Sequence, residues 1–356
     1  MSLVLGRDVL LFFEDRDRDT FVRGDRRMRR RLRKAVAPFR PGKQSVTGFE
    51  MSFTYLCLAL RHVGQIVHVN DYRLARQNPT YPVGICGYTH VLDDWTLPNP
   101  ALLGPGLFDH PKQRPDLLDD ERFRYYLIRC DWMRDMFAAV YDEQKLRYWF
   151  AGIDLEPWPD TSGFSKDVDV LVYDKIRWDR ETLVPAFLEP MLAELRRRSL
   201  RYEVVRYTRY TQAEYAKLLG RSRSLLFLCE SETQGRAYQE ALASNVPVLA
   251  WDPGLWLDPN RVQWESEPVK AESVPYFSAE CGERFRDLGA FTPALDRFWE
   301  RLGRYTPRRY VAAKLSLEES ARVYLNGYFA TSVRAAAEPP AAGAPRELVA
   351  HVPAER

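Results

Sequence analysis

The sequence is short of several things, and each shortage excludes something. Its five cysteines (Cys57, Cys86, Cys130, Cys229, Cys281) are scattered and form no C-x-x-C pair. That excludes a disulfide framework and a zinc ribbon, and fits thiols buried in a reducing compartment. No apolar run approaches the roughly 20 residues that span a bilayer. The first residues, MSLVLGRDVLLFFEDRDRD, lack the basic start and small-residue cleavage site of a secretory signal. A large excess of charge of one sign is also missing. The formal net charge of +3 over 356 residues names no partner. Repeats of solenoid type are missing, and no Cys/His cluster has metal-ligand spacing. The expectation is a cytoplasmic protein without a resident metal.

What is present is apolar and aromatic. Hydrophobic residues make up 46% and aromatics 13%, enough for large packed cores. The length suits two domains better than one.

Apolar runs alternate with helical patterns. The run DVLLFFED reads as a strand, the helix within SVTGFEMSFTYLCLALRHVG ends near Gly64, and QIVHVND reads as the next strand. This is a βαβ unit, so a parallel sheet is expected. YPVGICGY, PALLGPGLF, YYLIRCD and LRYWFAGID supply further apolar pieces. A Pro/Gly/Asp/Ser-rich stretch near residues 151–167 reads as a linker. Alternation then restarts with DVDVLVYD, ETLVPAFLEPMLAELRRRS, RYEVVRY, TQAEYAKLLGRS, SLLFLCE, GRAYQEALASN and VPVLAWD. The expected divisions are 1–155, 156–315, a terminal helix at 316–333 with Ser316 and Glu319 as its capping box, and an Ala/Pro-rich disordered tail at 334–356.

One stretch carries chemistry. In CESETQGRAYQEALASNVPVLAWD, Glu232 follows a buried strand at its carboxyl edge, where open α/β sheets bind ligands. Gly235 permits close backbone approach at a helix start, where free N–H groups favour anions. Glu240 lies within that helix, and a carboxylate there can accept two hydrogen bonds from a vicinal diol such as a ribose. The same spacing also describes an ordinary buried helix whose early glutamate complements the dipole. Lys175 and Arg177 follow another buried strand. Paired cations at such an edge can stabilise a departing diphosphate, or be solvated loop charges. GKQSVTGFEMS puts Gly48 before the first helix, as a phosphate loop or a plain strand-to-helix turn. Asp167 and Asp169 form a D-x-D pattern, but at the start of a strand. Segment 23–43 is strongly arginine-rich with few aromatics, which suits an anionic membrane surface, an acceptor-binding wall or a solvated helix better than nucleic acid.

The wording of that stretch resembles the E-x7-E signature of retaining, nucleotide-sugar-dependent glycosyltransferases of GT-B architecture, through Glu232, Gly235, Glu240, Ala241, Ala243, Pro247 and Val248. LRYWFAGID and the segment around DVDVLVYDKIRWDR resemble the same group, and the likeness covers about residues 150–330. Thr233 and Gln234 stand where the family often has Gly-Phe. Lys175, Ile176, Arg177 and then Arg180 replace its usual arginine-then-lysine order. The resemblance implies two Rossmann-like domains facing a cleft. It implies a nucleotide-diphosphate sugar as donor, with no obligatory metal, and a glycan or lipid-linked hydroxyl as acceptor. By that implication Glu232, Lys175, Arg177 and His110 serve catalysis, while Glu240, Gly235, Thr233, Gln234 and Gly48 hold the donor. His110 is equally readable as a structural histidine. Two alternatives stay open: a nucleotide-sugar hydrolase or epimerase of the same architecture, and a non-catalytic binding or scaffold protein on this fold.

Overall fold

A computed structural model describes residues 3–15, 48–93 and 95–332. The basic segment 23–43 and the tail 334–356, for which a membrane role and disorder are expected, lie outside the described residues.

Two parallel sheets form the molecule. The first contains β1 (Asp8–Glu14), β2 (Ile66–Val69), β3 (Val83–Tyr88), β4 (Ala101–Leu107), β5 (Phe123–Ile128) and β6 (Leu146–Tyr148), in the order β2-β1-β3-β4-β5-β6. The second contains β7 (Val168–Lys175), β8 (Tyr202–Arg206), β9 (Ser222–Cys229), β10 (Val248–Trp251) and β11 (Gly282–Phe285), in the order β11-β10-β9-β7-β8. Every pairing within them is parallel. The expected fold class is the observed one: two doubly wound α/β domains.

Burial on both faces explains why the strands read as continuous apolar runs. In β1, Leu10 and Phe12 enter one core layer, while Val9, Leu11 and Phe13 enter the opposite one. In β9, Leu225, Phe227 and Cys229 face one layer, and Leu226 and Leu228 the other. All five cysteines are buried free thiols.

The run ETLVPAFLEPMLAELRRRS does not form one uniform α-helix. A short turn, Arg180–Leu183, passes into a π turn, Val184–Leu188, and then into the helix Glu189–Arg197. Pro190 lacks an N–H and crowds the preceding turn. The wider turn absorbs this, with the Glu189 amide donating to the Val184 carbonyl five residues back.

The chain crosses between the domains twice, side by side. The Ile153 amide donates to the Leu315 carbonyl at 2.8 Å, and the Ser320 hydroxyl donates to the Phe150 carbonyl at 2.6 Å. A Cβ on Gly152 would lie 2.8 Å from the Ser316 carbonyl oxygen and 2.9 Å from Leu317 Cα, so only glycine lets the crossings touch. The helix Leu317–Ala330, capped by the Ser316 hydroxyl on the Glu319 amide, packs on the first sheet. There the buried Tyr328 hydroxyl accepts from the Leu10 amide and donates to the Pro82 carbonyl.

Candidate functional site

The second sheet changes winding direction between β7 and β9. Connections leave these neighbours in opposite senses, opening a crevice at their carboxyl ends, the usual ligand position in such sheets. Lys175 and Arg177 leave β7 there, and Glu230 to Gly235 leave β9. Register brings them together, because Lys175 pairs with Cys229 across the two strands.

Lys175 and Glu232 form a close ion pair. Both side chains are largely enclosed, and the ammonium also lies 4.4 Å from the Tyr207 ring centre. Burial alone pulls the lysine down. The opposing Glu232 carboxylate, with Cys229 and Tyr207, outweighs it and holds the ammonium charged well above its ordinary range.

Glu230 was not foreseen from the sequence, yet it shapes the whole edge. It is fully buried. Its Oε1 accepts from the Arg177 amide at 2.6 Å and the Trp178 amide at 3.0 Å, and Oε2 lies 3.4 Å from Arg177 Nε. One carboxylate thus folds the loop after β7 against the loop after β9. Arg177 also donates through Nη2 to the Ser231 carbonyl at 3.0 Å, and its side chain remains about one-third exposed. Burial pulls the guanidinium down, but Cys229, Glu232 and Glu230 together raise it. Arg180 is committed elsewhere, gripping Asp174 with two bonds at 2.7 and 2.8 Å. Lys175 and Arg177 are therefore the cations left at this edge by the β7 loop.

Gly235 adopts φ 73°, ψ 51° and caps the helix Arg236–Ala243. A Cβ would fall 2.1 Å from the Tyr238 ring, so both backbone and space require glycine. Glu240 lies inside that helix, 8% exposed. Burial pushes its carboxyl up, opposed by Arg236 one turn earlier at 3.1 Å. Arg236 in turn lies over the ring of Tyr55, 3.5 Å from its centre, on the first domain's helix Gly48–His62.

Other predicted residues serve different contacts. The Gln234 carboxamide brackets Ala151, accepting from its amide at 3.0 Å and donating to its carbonyl at 3.3 Å, and also donates to Gln239 at 2.8 Å. It anchors the loop to the interdomain crossing. The Thr233 hydroxyl receives Arg129 from the first domain at 3.2 Å. Gly48 starts the helix Gly48–His62 exposed, and an added Cβ would meet nothing, so no close approach requires glycine there. Asp167 and Asp169 lie at the opposite end of β7, bonded to Arg221 and to Arg201 and Arg223. Among the described residues no group of three or more His, Cys, Asp or Glu side chains could hold a metal ion.

His110 is enclosed in the structure. Its side chain is 1% exposed. It stacks parallel to Trp264 at 5.5 Å and to Trp256 at 6.3 Å. Nδ1 accepts from the Lys112 amide, which leaves Nε2 to donate to Glu265 at 2.9 Å. The imidazole fastens the two domains through these contacts. Trp256, Trp264 and Glu265 belong to an excursion of residues 252–272 between β10 and β11, closed at its base by the Ser273 hydroxyl on the Trp251 carbonyl. That excursion lies on the first domain's core, and the Glu272 carbonyl accepts from the Glu232 amide at 2.8 Å. The Trp132 indole donates to the Glu232 carbonyl at 2.9 Å. The crevice is thus framed by both domains.

No family model matches the chain, and no curated protein does. Solved structures resemble it in overall arrangement. A mutant of S. aureus TarM in complex with fondaparinux, alpha-GlcNAc-glycerol and UDP is 11% identical with TM-score 0.46 over 77% of this chain, which spans 58% of that one. WaaG, a glycosyltransferase involved in lipopolysaccharide biosynthesis, is 11% identical with TM-score 0.45 over 90% of this chain and 99% of its own. A sucrose-phosphate synthase from Thermosynechococcus elongatus is 13% identical with TM-score 0.45, covering 91% and 100%. With identities of 11–13% and TM-scores below 0.5, the chemistry has to be argued from this chain's own residues.

Proposed function

We propose that the chain is a retaining glycosyltransferase that moves a sugar from a nucleoside-diphosphate sugar to a hydroxyl of a glycan or lipid-linked acceptor. The observation that carries this reading is the convergence of Lys175, Arg177 and Glu232 at the β7/β9 edge, beneath groups of the first domain. In this reading Glu240 holds the ribose diol. Glu232, charge-balanced by Lys175, and the amides near Gly235 hold sugar hydroxyls. Lys175 and Arg177 meet the charge that grows on the diphosphate as the glycosidic bond to phosphate breaks. Fixed cations in an enclosed site do this without reorganising, and one such donor is worth on the order of 100- to 1,000-fold in rate.

The acceptor oxygen bonds to the anomeric carbon on the face the diphosphate leaves. The bonding pair departs with the diphosphate, and one of its oxygens takes the hydroxyl proton. The enclosure of His110 agrees with a route that needs no imidazole base. Contact between the domains excludes water, which would otherwise hydrolyse the donor. No metal is assigned a role in this reading. The basic segment 23–43 would place the enzyme against the anionic inner face of a membrane, in synthesis of a bacterial surface polysaccharide or glycolipid.

Thermal shift with UDP, GDP, ADP, CMP, TDP and their common sugars tests the donor site. A ligand at 100 times its Kd adds about 2.7 kcal/mol. Stabilisation by one base, lost in Glu240→Ala, is the expected result. No stabilisation by any of them contradicts the reading.

A second reading has its own observation. Gln234, Thr233 and Glu240 all bond to protein groups, as they would in a non-catalytic scaffold that keeps the fold. It predicts nucleotide binding without turnover, or no binding at all.

A further inference from the structure

Arg236 stands one residue after Gly235, at the start of the helix Arg236–Ala243. A cation there opposes the helix dipole, which favours anions at that end. Its i,i+4 pairing with Glu240 offsets part of that cost. Its contacts are also unusual. One terminal nitrogen, Nη2, lies 3.1 Å from Glu240 Oε1. The guanidinium carbon sits 3.5 Å from the ring centre of Tyr55, across the domain boundary. The other terminal nitrogen, Nη1, is buried and has no hydrogen-bond partner among the described residues.

A buried donor without an acceptor costs free energy that a partner would recover. Among the described residues the guanidinium, on a side chain 18% exposed, is therefore largely enclosed and incompletely satisfied. Glu240 is largely enclosed with it, its side chain 11% exposed. A guanidinium offers N–H donors to a carboxylate much as a vicinal diol offers O–H donors. Arg236 thus covers the carboxylate that a ribose would use.

We propose that Arg236 is a donor-site gate and phosphate ligand: its guanidinium, seated on Tyr55, occupies Glu240 until a nucleotide's ribose displaces it, and then pairs with the nucleotide's diphosphate. The proposal rests on the reading of Glu240 as the ribose-binding residue. Its physical basis is an exchange of partners. Glu240 trades a guanidinium for two hydroxyls, and Arg236 trades one carboxylate oxygen, and an Nη1 without an acceptor among the described residues, for anionic phosphate oxygens, which bind a planar guanidinium through paired, charge-assisted bonds. A nucleoside without phosphates can open the gate but gives the arginine nothing in return. The site therefore discriminates for the diphosphate beyond what Lys175 and Arg177 contribute. Tyr55 sits on the first domain, so loosening the domain contact also loosens the gate.

The test compares nucleosides with their diphosphates, for uracil, guanine, adenine, cytosine and thymine, by titration calorimetry on the full chain. Wild type is compared with Arg236→Leu, Arg236→Lys and Tyr55→Leu. The readout is the ratio of the two dissociation constants for the base that binds, because any loss of folded protein or of Glu240 charge affects both ligands alike and cancels. In Arg236→Leu the preference for the diphosphate should fall about tenfold, the worth of one charge-assisted contact, while the nucleoside binds at least as tightly as to wild type. Arg236→Lys should keep most of the preference. Tyr55→Leu should tighten nucleoside binding and leave the preference in place. A preference unchanged in Arg236→Leu, with binding retained, overturns the gate and spares the donor site. Absence of binding by every pair to wild type and variants alike overturns the donor-site reading and the gate together.

Discussion

His110 and Trp264 lie face to face, ring centres 5.5 Å apart and planes within 10° of parallel, although one belongs to the first domain and the other to the excursion from the second. The stack joins the two domains, together with the His110–Glu265 hydrogen bond. It is also a contact through which stability should depend on pH.

Burial pulls the His110 imidazole below its ordinary value of 6.5, against the pull of Glu265. The folded protein then binds this proton less readily than the unfolded chain. The stabilising contribution is complete above about pH 6.5 and is lost as pH falls from there toward the lower folded value. Thermal melting between pH 7.5 and 5 should show wild type losing stability across that window. His110→Phe, which keeps the stack, should show a shallower loss. Equal slopes for the two proteins would remove His110 as the titrating fastening.

Glu230→Ala should destabilise the protein by about 1–3 kcal/mol in urea unfolding, because it strands the partly buried Arg177 and Trp178 amides. Glu230→Gln keeps an acceptor for those amides and should cost less. Both should weaken nucleotide binding, since the loop carrying Arg177 depends on this carboxylate. A fully stable Glu230→Ala would show that the loop folds without it.

The two predicted glycines separate cleanly. Gly235→Ala forces a left-handed backbone and a 2.1 Å approach to Tyr238, so a loss of about 1–3 kcal/mol is expected. Gly48→Ala meets nothing and should change stability by no more than about 0.5 kcal/mol. Nucleotide affinity measured on the same proteins shows whether Gly48 matters to a ligand. A tenfold loss there would restore it to the donor site.

Lys175→Met leaves the Glu232 carboxylate enclosed without its cation, and Glu232→Gln leaves Lys175 likewise. The double change should therefore cost less than the sum of the two single ones. The coupling expected for contacting residues is about 0.5–3 kcal/mol, measured as a double-mutant cycle in urea. Strict additivity would mean that the pair does not form in solution.

Much of this arrangement could be read from the chain. Strands buried on both faces announce themselves as apolar runs, and Glu232, Lys175 and Arg177 could be placed at an edge because each follows such a run. Glu230 escaped notice because it looks like the last residue of the strand; only the register of β7 against β9 shows which amides it serves. Partners distant in sequence were also invisible. His110 and Trp264 are joined by an irregular excursion with no periodicity to read, and Gln234 meets Ala151 only after both domains have folded. The segment from 253 to 315, with β11 and the helix Leu288–Glu300, had no motif to announce it.

The most direct test of the central claim is a crystal structure with the nucleoside diphosphate that stabilises the protein best. The account predicts the diphosphate beside Lys175 and Arg177 at the carboxyl ends of β7 and β9, with the ribose on Glu240. A nucleotide bound elsewhere, or none in the crevice at saturating concentration, would contradict it.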